Sequence, residues 1–446
     1  MVFKNNFHVR VAIHAAFNLA MYHYGLPMAS SVILSSFFLN KNWIHMKNNV
    51  KRDLISMFPK FPLQDSPIQP LPPSALRGDG SIKYLPPDHK VGKETITRYQ
   101  RLYGFGSGGY RPVAFQSNVH NERVSLEARI LKETPEPDDV VLTEFWKWLK
   151  RNRRRLFPKT SRVRIEPFPF QDYIKGSNAA PSVKRKLERV RKELEENGID
   201  EYCTLSPTQV AKWCVRKGFV KVENNNYRTP LGEKLKAPRL IQGATAEFIC
   251  LTGPWFAALQ YYIKKDWGAD NFICFTSGIS TASAAKLVTS FHKWMEDDVS
   301  AWDASMIAKL LRIESWLFKK FGAPRAVQQL VDKNVNTIGK TTNGWRYKRS
   351  GCRKSGDPYT SSGNSMLNGL IHLFIYCRFH RIGIASARKR IRMLVGGDDN
   401  LMNHSELERE INWKKEMAKF GFKAEGIYKT NPNFVEYCSM RLYPVK

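Results

Sequence analysis

Between the apolar run Ile391–Val395 and the returning pair Leu401–Met402, the chain places Gly396-Gly397-Asp398-Asp399-Asn400, and no other stretch constrains the fold as much. Apolar run, glycine turn and second apolar run read as a β-hairpin with two carboxylates at its tip. Adjacent carboxylates repel, so holding both at a buried tip is costly unless a cation neutralises them. A tip containing Gly-Asp is otherwise a common turn, and taken alone the segment also supports a purely structural reading.

Two further segments precede it. Asp298-Val299-Ser300-Ala301-Trp302-Asp303 follows the mixed stretch His292–Glu296. If Asp298 ends a strand, its carboxylate emerges at the strand edge and Asp303, one turn beyond, faces the same cleft. Two aspartates five apart also suit a solvated loop or a helix cap. Ser355-Gly356-Asp357-Pro358-Tyr359-Thr360-Ser361-Ser362-Gly363-Asn364 then runs from a loop into a helical pattern carrying Met366, Leu367, Leu370, Ile371 and Phe374. Gly356 permits close backbone approach to a substrate, and Thr360 and Asn364, four apart, project from one helix face. Ordinary capping by Ser and Thr is the alternative.

Charge narrows the partner. Over 446 residues, 71 Lys+Arg against 40 Asp+Glu leave a formal charge of +31, which favours a polyanion, nucleic acid before an anionic membrane. An apolar share of 42% supplies a substantial core and excludes wholesale disorder. The cysteines, Cys203, Cys214, Cys250, Cys274, Cys352, Cys377 and Cys438, form no C-x-x-C pair, which predicts reduced thiols in a cytosolic compartment without structural zinc.

Elsewhere the chain is punctuated. No charged residue lies between Arg10 and Lys41, and the first acid is Asp53, so this end is a membrane-associating segment or a set of buried helices. Prolines recur from Pro59 to Pro87 and predict an extended connector. Gly104–Gly109 lacks the Lys-Ser/Thr of a phosphate loop and reads as a turn. Lys147–Arg155 sets positive charge beside Trp148, as a strand of RNA or a solvated helix face would require. Val183, Leu187, Val190 and Leu194, closed by Gly198, predict an amphipathic helix.

In order and internal spacing these segments resemble the motifs of the RNA-dependent RNA polymerases of positive-strand RNA viruses. Asp298 and Asp303 fit the D-x4-D of motif A. Ser355, Gly356, Thr360 and Asn364 fit motif B, and Gly397-Asp398-Asp399 fits motif C. Phe219–Glu223 with Lys234–Gln242 resembles motif F, Ser405–Phe420 leading to Lys429 resembles motif D with a capping box at Ser405 and Glu408, and Phe434–Ser439 resembles motif E. The wording of motifs B, E and F is most similar to the tombusvirus- and nodavirus-like group.

The resemblance implies an α+β right-hand polymerase. Residues 1–58 would be a basic, apolar segment that associates with membrane or contacts a thumb, and 59–91 the proline-rich connector. Residues 92–290 would form fingers, with motif F at 219–243. Residues 291–446 would form a palm whose antiparallel sheet is backed by helices, with motif A at 298–303, B at 355–368, C at 395–400, D at 405–429 and E at 434–440. The thumb is expected to be short or missing, in a fragment or supplied from elsewhere.

For the site it implies two Mg²⁺ ions, replaceable by Mn²⁺, on Asp298 and Asp398 with Asp399 assisting. Lys221, Lys236 and Arg239 would grip the triphosphate. Lys429, or else Lys423, would protonate the leaving pyrophosphate. Asp303, Thr360 and Asn364 would detect the ribose 2′-hydroxyl, and Ser355 and Gly356 would line the nucleotide site. Expected partners are an RNA template and product strand, nucleoside triphosphates, and a membrane or a viral membrane-anchored replication protein, but no DNA. The expected location is the host cytoplasm at membrane-associated replication sites. The competing readings are a non-catalytic RNA-binding or membrane-scaffolding replication factor and a reverse transcriptase.

Overall fold

A computed structural model of the chain describes residues 60–61, 65–86, 99–100, 110–223, 225–228, 236–289, 291–405, 409–438 and 440–441. The uncharged Arg10–Lys41 stretch, the glycine-rich 104–109 turn, Lys234 and Leu235 of the basic motif, Glu408 of the expected capping box, and Tyr443 and Pro444 lie outside the described residues.

The chain forms two compact units, one of residues 1–69, 87–124 and 220–238, the other of 70–86, 125–219 and 239–446. In the first, Tyr110–Val113 pairs antiparallel with Asn225–Arg228. Asn121 accepts from the Ser66 N–H (2.7 Å) and donates to the Gln116 carbonyl (2.9 Å). Hydrogen bonds from Gln116 and Asn118 hold the nearby Asp65 carboxyl below its ordinary range. The Asn118–Asn121 stretch thus organises a loop.

The second unit holds two five-stranded sheets. The first consists of β1 (Gly80–Tyr84), β2 (Arg216–Val220) and β3 (Leu240–Gly243), followed later in the chain by a hairpin. The second begins with β4 (Ile273–Phe275) and β5 (Lys293–Asp297). The hairpin of the first sheet is β6 (Asn336–Thr341) and β7 (Trp345–Ser350), and its strand order is β1-β7-β6-β2-β3. The carboxylate hairpin is β8 (Ile391–Gly396) and β9 (Asp399–His404), and with β10 (Ile427–Lys429) the second order is β10-β5-β9-β8-β4. This sheet is mixed where an antiparallel one was expected: β4 joins β8 in parallel, Leu394 opposite Cys274. Both strands are buried on both faces, as parallel pairing favours.

Helices cover the second sheet. α1 (Asp139–Leu156) starts where Asp138 accepts from the Val140 and Val141 N–H groups. Its Trp146 and Trp148 pack against Trp316 and Phe374, so the indoles beside the Lys147–Arg155 cations are turned inward. α2 (Pro181–Glu196) buries Leu187, Val190 and Leu194 as the periodicity predicts, Val183 in its first turn stays exposed, and Gly198 follows at φ +67°. α3 (Ala246–Asp266) and α4 (Thr360–His380) are the central helices. α4 is buried on all sides from Ser362 to Cys377, and it lies against β8 and β9. The helix expected over Ser405–Phe420 is shorter, Trp413–Ala418, because Asn412 supplies the cap by accepting from the Lys415 N–H.

Candidate active site

Asp298 follows the last residue of β5 and is exposed. Strands β5 and β9 are antiparallel with Asp297 opposite Asn400, so the hairpin tip emerges at the same sheet edge as Asp298. The tip is a two-residue turn, Gly397-Asp398, closed by the Gly396–Asp399 pair. Gly397 has φ +70° while Asp398 keeps negative φ, the pattern of a type II′ turn that only glycine adopts freely at its first central position. Burial and then the charge of Asp398 push the Asp399 carboxyl above its ordinary range; Asp298 adds to the effect and the Cys438 thiol opposes it. Three carboxylates therefore feel one another at one edge.

Helix α4 clamps the tip. Asn368 Nδ2 donates to the carbonyls of Gly397 (3.2 Å) and Asp398 (2.9 Å), and its Oδ1 accepts from Asn400 Nδ2 (2.8 Å). Ser365 Oγ accepts from the Gly397 N–H (2.7 Å). One turn on, His372 Nε2 lies 2.8 Å from Asp297 Oδ2, Nδ1 bonds the Asn368 carbonyl (2.9 Å), and the ring stacks on Trp413. Asp297 in turn accepts from the Gly426 N–H (3.2 Å). The residue before Asp298 is thereby locked to the helix that holds Asp398.

A second chain of contacts ends at Asp303. Arg353 pairs with Glu314 through two parallel bonds, Nη1 to Oε2 (2.7 Å) and Nη2 to Oε1 (2.5 Å), both side chains being buried. Arg353 Nε donates to Asn364 Oδ1 (2.7 Å), and Asn364 Nδ2 donates to Asp303 Oδ1 (3.0 Å). A guanidinium can only donate, so the Asn364 amide has one possible orientation. Burial pushes the half-buried Asp303 carboxyl up to about 6, against the Asn364 hydrogen bond and the Arg353 charge, with Asp398 contributing in the same direction as burial.

A strand-end aspartate, a II′ turn bearing two more, and an asparagine-gated fourth acid thus share one edge of a sheet. Residues 236–442 match the family described as viral RNA-dependent RNA polymerase. This segment is a viral RNA-dependent RNA polymerase domain. The chain is also similar to the genome polyprotein of Bovine viral diarrhea virus (strain SD-1), 30% identical over 109 residues, which is 24% of this chain and 3% of the polyprotein. It is similar to the RNA-directed RNA polymerase of Pariacoto virus, 28% identical over 161 residues, which is 34% of this chain and 16% of that protein. The chain's matches thus span only a small part of either relative.

The remaining motif residues of the polymerase domain divide into those at the site and those used elsewhere. Arg239 is exposed and its charge reaches Asp303. Lys221 and Lys236 belong to the other compact unit, where Lys221 pairs with Glu223 (2.7 Å). Ser355 Oγ accepts from the Gln242 N–H (3.3 Å), and a Cβ on Gly356 would lie 2.4 Å from the Gln242 carbonyl. The close approach that Gly356 permits is to the backbone of β3. Thr360 Oγ1 donates to the carbonyls of Lys354 (2.6 Å) and Asp357 (3.0 Å), so its hydroxyl serves the loop while Asp303 and Asn364 meet each other. Asp357 anchors the same loop to Arg216, 2.9 Å away and fully buried with it.

Lys429 lies on β10, its ammonium held by Glu296 (2.6 Å) and the Phe434 carbonyl (2.5 Å). Lys423 is exposed, opposite Ser300. The motif E stretch forms a short hairpin, Glu436–Tyr437 with Met440–Arg441, and Tyr437 bonds Thr276 (2.7 Å). Sequence reasoning missed Glu314, Arg353, Ser365, Asn368, His372 and Asp297. Their polar types within apolar surroundings were the available signal, since a buried polar group needs a partner.

Among the described residues, no three His, Cys, Asp or Glu side chains already form a ligating cluster. The donors nevertheless suit Mg²⁺: Asp298, Asp398 and Asp399 offer hard carboxylate oxygens, and the burial and mutual repulsion that together raise the Asp399 carboxyl are what a cation relieves.

Proposed function

We propose that the chain is an RNA-directed RNA polymerase that joins ribonucleoside triphosphates to an RNA 3′-hydroxyl, by phosphoryl transfer with two divalent ions. The observation that carries this reading is the Asn368 clamp, which holds the Asp398 turn at the sheet edge where Asp298 emerges. Asp298 and Asp398 would hold the cations, with Asp399 assisting, and the chemistry supplied by bound Mg²⁺ would be a lowered pKa of the 3′-hydroxyl and neutralised charge on the departing pyrophosphate.

The chain's own groups do the rest. Asp303 and Asn364 face the ribose: the Arg353-fixed amide leaves Asp303 an oxygen to accept the 2′-hydroxyl proton, and a site built to bond a hydroxyl rejects the sugar lacking it. Arg239 pairs with the triphosphate, the role that the family resemblance also implies for Lys221 and Lys236. Lys429 donates the proton to pyrophosphate, with Lys423 as the alternative. In this reading the second sheet is the palm and the first sheet belongs to the fingers of a right-hand polymerase.

RNA template and product are the macromolecular partners. The uncharged Arg10–Lys41 stretch supports attachment to host membranes or to a membrane-anchored viral protein, and hence a cytoplasmic replication site. Recovery of the expressed chain wholly in the soluble fraction would count against that attachment.

Primer extension on an RNA template with Mg²⁺ tests the central reading. The intact chain should extend with ribonucleotides, and Asp398→Asn should bind the primer–template and leave it unextended. Extension by Asp398→Asn, or equal use of deoxynucleotides, would sink it.

A further inference from the structure

The first sheet carries a surface that this reading does not use. None of its five strands contains an Asp or Glu. Arg216 and Arg349 point inward and are buried, whereas Lys83, Lys217, Lys340, Arg346 and Lys348 are exposed. Strand pairing lines these up. Lys83 stands opposite Arg346, Arg346 opposite Lys340, and Lys340 opposite Lys217. At a strand spacing of about 4.8 Å, one cation from each of four neighbouring strands makes a row about 14 Å long.

Like charges directly opposite one another destabilise a sheet. Here three such pairs adjoin, and no acid on any strand relieves them. The row borders a groove of about 400 Å³ lined in part by Ile338, Lys340, Arg346 and Lys348. Two apolar side chains on the same face, Phe219 (39% exposed) and Ile338 (44%), stand beside the cations. The opposite face carries Gln242 and Tyr347, bonded to each other (3.2 Å), with Gln242 also donating to the Arg353 carbonyl (3.2 Å). The cation row is therefore turned away from the side that supports Asn364 and Asp303.

We propose that this outer face is a second RNA-binding surface, which takes a single-stranded segment across β1, β7, β6 and β2 with phosphates on the Lys83–Arg346–Lys340–Lys217 row and a base against Phe219. Phosphates supply the countercharge that the strands lack, and an aromatic face beside a basic track is how sequence-tolerant single-strand binding is built. An anionic membrane would also meet the charge. It would call for apolar side chains projecting beyond the cations, whereas here the row flanks a groove.

The test is equilibrium binding of a fluorescein-labelled oligouridylate to the full chain without nucleotide, so its outcome is independent of catalysis. The variant combines Lys83→Gln, Lys217→Gln, Lys340→Gln and Arg346→Gln. Each phosphate contact on a single strand contributes about 0.7 to the slope of log affinity against log salt, so losing four flattens the slope by about 2.8. Between about 50 and about 200 mM salt the wild-type chain should then lose about fiftyfold more affinity than the variant. The variant's melting temperature should hold or rise, because like-charge pairs have gone, and the conservative set Lys83→Arg, Lys217→Arg, Lys340→Arg and Arg346→Lys should bind as wild type. An unchanged salt slope in the glutamine variant overturns the proposal. So does loss of binding to phosphatidylserine vesicles with RNA binding intact, and so does loss of RNA binding in the conservative set.

Discussion

Arg353 Nε donates to Asn364 Oδ1 at 2.7 Å, and this one bond decides which way the amide that meets Asp303 must face. Glu314 holds the guanidinium in turn, so Arg353→Met should leave a buried, unpaired carboxylate and cost about 3–5 kcal/mol in denaturant unfolding. Adding Glu314→Leu should restore most of that loss. The double variant should then incorporate ribonucleotides with weaker preference over deoxynucleotides than wild type, because the Asn364 amide is free to turn. Undiminished preference in a stable double variant would remove Arg353 from the ribose reading.

Asn368→Ala should loosen the Gly397-Asp398 turn without unfolding the domain. The two hydrogen bonds to the Gly397 and Asp398 carbonyls go, together with the one accepted from Asn400, each worth about 0.5–1.5 kcal/mol. If they act on the position of Asp398, kcat should fall roughly five- to hundredfold with nucleotide KM nearly unchanged. A rise in KM at constant kcat would mean that Asn368 serves nucleotide binding instead.

Asp303 sets a pH dependence that can be read in the metal-free protein. Its folded-state pKa, pushed up to about 6, lies above the ordinary 3.8, so between those values the folded state holds a proton that the unfolded chain has lost. Stability from this group is complete at the acid end and is lost as pH rises through about 6. Asp303→Asn should flatten that decline in chemical denaturation carried out across the window.

Lys429 and Lys423 make separable predictions. Lys429 is tied to Glu296, so Lys429→Leu should strip one side of an ion pair and lower the melting temperature as well as any role in proton transfer. Lys423 is exposed, and Lys423→Leu should leave the melting temperature alone. Whichever variant removes the alkaline limb of the kcat–pH profile identifies the proton donor.

Cation binding has its own readout. Ligands that bind only the folded state raise its melting temperature. Mg²⁺ should do so for the wild-type chain and much less for Asp298→Asn or Asp398→Asn. An equal rise in all three would place the ion elsewhere.

Much of the site was legible in the residues themselves. Gly397 and the apolar runs around Asp398 specify a hairpin because a two-residue II′ turn between two apolar runs is a local property of the chain. The order of motifs from Asp298 to Asp399, and the family they resemble, are likewise carried in one dimension. So is the α2 stripe of Leu187, Val190 and Leu194. Tertiary structure alone decided the rest. Gly356 faces the backbone of β3, Thr360 turns its hydroxyl to the loop, and Asn368, His372 and Arg353 hold the edge that carries the acids, because buried polar groups take whatever partners the packed fold brings within reach. Lys83, Lys217, Lys340 and Arg346 are scattered along the chain and become one row only when strands from separate segments pair in register.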